Sequence, residues 1–96
     1  MLTVRVRSMF DVKGILGSRE ISLVLDEGAT IRHLLNRLFA RYGPELKDKI
    51  LDSKTENIRI QFSILLDGRN INYLDGMETK LINGSVISLL PQAGGG

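Results

Sequence analysis

The segment Ile31–Tyr42 limits what this chain can fold into more than any other, because it is the one long stretch with helical periodicity among segments that alternate. Ile31, Leu34, Leu35, Leu38, Phe39 and Tyr42 recur at steps of three and four and share a face. Arg32, His33, Asn36, Arg37 and Arg41 take the other face. Thr30 suits an N-cap, Gly43 suits a left-handed C-cap, and Pro44 prevents continuation. Asp26 and Glu27 ahead of the helix and Arg37 and Arg41 near its end suit its dipole. One apolar helical face in 96 residues has to be covered by a sheet.

Strands are legible on both sides. Leu2, Val4 and Val6 alternate with Thr3, Arg5 and Arg7, and Ile21, Leu23 and Leu25 repeat the pattern. The two read as a hairpin, with residues 11–18, containing Gly14 and Gly17, as its turn. Residues 45–56 are polar, with Leu46, Ile50 and Leu51 enough for one short helical turn. Alternation returns at Ile58, Ile60, Phe62, Ile64 and Leu66. Asp67-Gly68, Asp75-Gly76 and Asn83-Gly84 then follow at intervals of eight. A calcium-binding repeat would need a recurring carboxylate cluster, so short strands joined by tight turns fit better. The final strand covers residues 85–90 and stops at Pro91, which has no N–H for a ladder. The expected fold is α+β of the β-grasp type: a mixed sheet of four to five strands on one main helix, formed by residues 1–90, with a tail at 91–96.

Composition removes several classes of chemistry. Hydrophobic residues make up 43% and charged residues 25%, as in an ordinary globular domain. There is no cysteine, so disulfides, thiolate metal sites and thiol catalysis are excluded. No apolar run reaches the roughly 20 residues of a membrane span, and strand-like alternation from Met1 leaves no room for a signal peptide, so a cytoplasmic location is expected. A net charge of +2 with few aromatics argues against direct nucleic-acid binding. His33, the only histidine, falls on the polar helical face and reads as a surface residue. No Gly-x-Ser-x-Gly segment, His-x-x-x-His pair, metal site or phosphate-cradling loop is present, and no permanently bound cofactor is expected. What remains is Gly94-Gly95-Gly96, a backbone arm without a Cβ that suits a channel too narrow for side chains.

A β-grasp domain whose last strand runs into Gly-Gly resembles the ubiquitin-like sulfur carriers of the MoaD/ThiS family, and most of all its molybdopterin synthase small subunits. The family tail reads roughly Gly-Asp-x-Val-x-Phe-x-Pro-Pro-Val-Ala-Gly-Gly. This chain has Gly84-Ser85-Val86-Ile87-Ser88-Leu89-Leu90-Pro91-Gln92-Ala93-Gly94-Gly95-Gly96, so Gly95-Gly96 match the functional pair and Pro91 the first proline. Ile64–Ile71 resembles the family's strand, turn and strand ahead of the last hairpin. Gln92 replaces a proline, and Arg5 and Arg7 stand on a strand that is often more hydrophobic in relatives.

The resemblance implies that an E1-like adenylating enzyme uses ATP to activate the Gly96 carboxylate, which then becomes a thiocarboxylate. Pro91, Ala93, Gly94 and Gly95 would be the arm that enters the partner's channel. For the molybdopterin synthase small subunits the resemblance implies that the sulfur acceptor is the molybdopterin precursor, held in a larger synthase subunit that supplies the catalytic side chains. Alternatives are an isopeptide-forming modifier joined through Gly96 to lysines of target proteins, a sulfur carrier for tRNA thiolation or thiamine synthesis, and a plain interaction module. Alternation further predicts that Arg5, Arg7, Ser63, Leu65, Ser88 and Leu90 face away from the helix. Leu65 and Leu90 are expected there as an exposed apolar pair, and with Ser88, Arg5 and Arg7 they form the expected partner-binding face.

Overall fold

The computed structural model describes residues 1–91. Five strands, β1 (Leu2–Ser8), β2 (Glu20–Leu25), β3 (Phe62–Leu66), β4 (Arg69–Asn70) and β5 (Val86–Pro91), form one sheet in the order β2-β1-β5-β3-β4. β1 and β5 are parallel, and every other pairing is antiparallel. Three helices accompany it: α1 (Phe10–Leu16), α2 (Ile31–Tyr42) and α3 (Pro44–Ile50). The mixed five-stranded sheet grasping α2 is the β-grasp fold that the sequence predicts.

The core follows the alternation. Val4, Val6, Leu23, Leu25, Ile64, Ile87 and Leu89 are buried from the sheet side, and Ile31, Leu34, Leu35 and Leu38 are buried from α2. Phe39 and Tyr42, expected on the same face, are only half-buried at its margin. Each fully buried side chain of this size contributes about 1.5–3 kcal/mol, so this face outweighs any single surface pair.

α2 begins at a reciprocal cap. The Thr30 side chain accepts from the His33 amide, and the Thr30 amide donates to His33 Nδ1 at 3.0 Å. His33 thus does in this box what Glu or Gln does in the usual one. It is exposed, as expected, but it also has this structural role, which the periodicity did not reveal. The Ile31 amide donates to the Thr79 carbonyl at 3.0 Å and the Leu81 amide to the Ala29 carbonyl at 2.9 Å, tying the start of α2 to the connector before β5.

The last strand runs over Val86–Pro91 instead of residues 85–90, with Pro91 opposite Phe62, and three further segments depart from the sequence reading. Residues 11–18 are not a simple hairpin turn: Val12 and Leu16 are buried one helical turn apart in α1, and Gly17 closes the helix at φ 79°. Where residues 45–56 suggested one short turn, a seven-residue α3 runs from Pro44 to Ile50, with Leu46 and Ile50 buried. The strand expected from Ile58 starts only at Phe62. Ile58 makes an isolated bridge to Leu51, and Ile60 is 96% exposed. The Phe62 amide donates to the Arg59 carbonyl at 2.9 Å, so the chain turns there instead of pairing.

Candidate functional site

The expected site is the end of β5 and the sheet face around it. β5 lies between β1 and β3, so it is held along both edges. Its start is fixed by Asp67: Asp67 Oδ1 accepts from the Val86 amide at 2.9 Å, and the Asp67 amide donates to the Val86 carbonyl at 2.8 Å. Its end is Pro91, half-buried opposite Phe62. Gln92, Ala93, Gly94, Gly95 and Gly96, which include the expected reactive residue and most of the arm, lie outside the described residues.

The face opposite α2 is set by register. Ser88 lies between Arg7 of β1 and Leu65 of β3, while Val86 pairs with Arg5 and Leu90 with Ser63. The expected partner-binding residues are therefore brought together on the side away from the core. Two details differ from expectation. Leu65 and Leu90 are half-buried, because cross-strand neighbours cover part of each, and they are diagonal across the β3–β5 pair. Arg5 and Arg7 are exposed but not free: Glu20 of β2 holds Arg7 at 3.0 Å and Arg5 at 3.9 Å. Exposed pairs of this kind are worth at most about 1 kcal/mol, so they open at little cost.

Met9 and Phe10 were not singled out by the sequence. They follow Ser8, which pairs with Leu89, so they start at the same end of the sheet as Leu90 and Pro91. They are 47% and 57% exposed, and Phe10 has φ 56°, an unusual value for an aromatic residue. Their signal in the sequence was two apolar residues in succession where β1's alternation stops. α1 is further tied to α3 by Lys49, whose ammonium lies 2.7 Å from the Asp11 carboxylate. That hydrogen bond holds the Asp11 carboxyl below its ordinary value, against a smaller opposing effect of burial, and raises Lys49. Among the described residues no group of three or more His, Asp or Glu side chains could hold a metal ion, and no helix is long and apolar enough to cross a membrane.

Comparison with known proteins agrees with this geometry. Residues 11–96 match the model of the ThiS family. The chain is 27% identical over 95 residues to small archaeal modifier protein 3 of Haloferax volcanii, an alignment that spans 99% of this chain and 100% of the relative. The solution structure of small archaeal modifier protein 1 from Methanosarcina acetivorans is 30% identical and superposes with a TM-score of 0.83, over 100% of this chain and 98% of that one. A chain of the BexX/CysO complex of Amycolatopsis orientalis shares the fold, with a TM-score of 0.76 at 17% identity over 97% of this chain and 99% of that one. With a family match over most of its length and the five-stranded grasp that its relatives share, the chain belongs to the ThiS family of ubiquitin-like sulfur carriers and modifiers.

Proposed function

We propose that this protein carries sulfur on Gly96. A partner adenylating enzyme joins the Gly96 carboxylate to the adenylyl group of ATP, with pyrophosphate leaving. The free carboxylate is a poor electrophile because attack would have to expel an oxide, and the acyl-adenylate replaces that with a good leaving group. A sulfur donor then displaces AMP and leaves a thiocarboxylate, a nucleophile that passes its sulfur to an acceptor held by a second enzyme. The acceptor we infer is the molybdopterin precursor in a synthase large subunit. This chain contributes the reactive terminus and its partners contribute ATP binding and catalytic side chains.

The observation that carries the reading is the placement of β5, gripped by β1 as far as Leu89 and by β3 as far as Pro91. From a fixed root, the six residues Pro91–Gly96 reach at most roughly 20 Å at about 3.3–3.6 Å per residue. Reacting atoms have to approach within about 3–3.5 Å, so chain length and anchoring together decide whether the carboxylate arrives. The face carrying Leu65, Ser88, Leu90, Arg5 and Arg7 adjoins that root and is our candidate surface for both partner enzymes.

A second reading is favoured by the comparisons, because two full-length relatives are named as small archaeal modifiers. Here a target lysine attacks the same activated Gly96 and forms an isopeptide bond. Intact mass spectrometry of the protein from its own cells tests both. Exchange of one terminal oxygen for sulfur supports the carrier, and a Gly96–lysine branch supports the modifier. A terminus always found as free carboxylate, in cells making molybdopterin, overturns both.

A further inference from the structure

β2 is a six-residue edge strand, whereas the opposite edge, β4, has two residues. The Ser8 amide donates to the Arg19 carbonyl at 2.9 Å, in register with the pairings of β1 and β2. Alternation of hydrogen-bonded pairs then turns the backbone groups of Ile21, Leu23 and Leu25 towards β1 and those of Glu20, Ser22 and Val24 towards the free edge. Half of that edge is already closed. The Ser18 hydroxyl donates to the Glu20 carbonyl at 2.9 Å and accepts from the Glu20 amide at 3.3 Å. Arg37 of α2 donates to the Val24 carbonyl at 3.2 Å. Among the described residues, the Ser22 backbone groups and the Val24 amide have no side-chain partner and are left for another strand.

Beside this edge runs a groove of about 510 Å³ between the β2–α2 connection and α2, with Leu25 and Ala29 on one wall and His33, Arg37 and Ala40 on the other. Its charges are divided. Arg37, in its lining, pairs with no carboxylate among the described residues, and neither does Arg41, one helical turn further along α2 and outside the lining. Asp26 and Glu27 also line it, and Glu27 is engaged by the Met1 ammonium at 3.0 Å.

We propose that the β2 edge docks an extended acidic peptide and that Arg37 is its charge-keyed gate. A carboxylate on the incoming strand draws the guanidinium off the Val24 carbonyl, which then accepts the strand's N–H. A neutral or basic strand leaves Arg37 in place and meets a blocked acceptor. A second copy is a poor occupant. Antiparallel pairing of two β2 edges puts both helices on one side of the joined sheet, where Arg37 and Arg41 of each copy repel, and Glu20 is committed to Arg5 and Arg7.

The test is a titration of the isotopically labelled full chain, followed by amide NMR, with two short capped peptides alternating valine with glutamate or valine with lysine. The glutamate peptide should shift and protect the Ser22 and Val24 amides and bind about tenfold more tightly than the lysine peptide at low salt. Arg37→Gln with Arg41→Gln, checked by thermal melting to be folded, should bring the two affinities within about twofold. Equal affinities in the unsubstituted chain, shifts centred away from β2, or dimerisation through β2 without peptide would overturn the proposal.

Discussion

Asp67 and Val86 are bonded to each other twice, through the Asp67 carboxylate and the Val86 amide at 2.9 Å and through the Asp67 amide and the Val86 carbonyl at 2.8 Å. The pair joins the end of β3 to the start of β5 and so sets the register of the strand that leads to the tail. A slip of one residue would exchange Ile87 and Leu89 with Ser88 and Leu90, exposing Ile87 and Leu89 and putting the Ser88 hydroxyl in the core. Asp67 also holds φ 50°, which aspartate tolerates better than alanine does.

Asp67→Ala should therefore lower unfolding free energy by about 1–2 kcal/mol, from one lost hydrogen bond plus backbone strain. Denaturant unfolding measures it. A change indistinguishable from zero would mean that the pairing with β1 and β3 alone fixes β5.

The cap of α2 gives a paired prediction. Thr30→Ala should cost about 1 kcal/mol. His33→Gln should cost much less than His33→Ala, because glutamine also fits the reciprocal position of a capping box. Thermal melts of the three variants decide it, and equal losses for the two His33 variants would remove the imidazole from the cap.

Asp11 and Lys49 make the link between α1 and α3 pH-dependent. Because the folded Asp11 carboxyl lies below its ordinary value, its contribution is present above the unfolded aspartate value and is lost as pH falls through the folded one. The pair is half-exposed, so Asp11→Asn should cost less than about 0.5 kcal/mol at neutral pH and nothing in strong acid. Stability of both proteins measured from neutral to acid pH checks the sign.

Much of this architecture was written in residue spacing, and what was missed has physical causes. Ile31 to Tyr42 fill more than three helical turns, enough for periodicity to average out local noise, and Gly43 and Pro44 mark the end. α1 offers only Val12 and Leu16 as an apolar repeat and has Gly14 inside it, so glycine reads as turn while burial in the finished core decides for helix. Ile58 and Ile60 continue the alternation of β3, but Ile58 bridges only to Leu51 and Ile60 is exposed, and alternation cannot report where pairing stops. At the candidate site, parity alone sorted Ser88 and Leu90 from Ile87 and Leu89. The half-burial of Leu65 and Leu90 and the hold of Glu20 on Arg5 and Arg7 depend on register between distant strands, which no local pattern encodes.

Leu90→Asp tests the candidate partner face. Leu90 is half-buried on the side away from the core, so stability should fall by no more than about 1–2 kcal/mol. Affinity for the activating enzyme and for any large subunit should fall at least about tenfold, as expected for a central apolar contact. Calorimetric titration that finds unchanged affinity would move the docking surface elsewhere, with Met9 and Phe10 the next residues to replace.

The central claim is that the Gly96 carboxylate, delivered from the fixed end of β5, is the group that is activated. ATP–pyrophosphate exchange by the cognate adenylating enzyme measures this directly, using the unaltered chain, a chain lacking Gly96 and a chain with one alanine added after it. The account predicts exchange with the unaltered chain and none with either variant, all three melting at the same temperature. Exchange at the unaltered rate with either variant would contradict it.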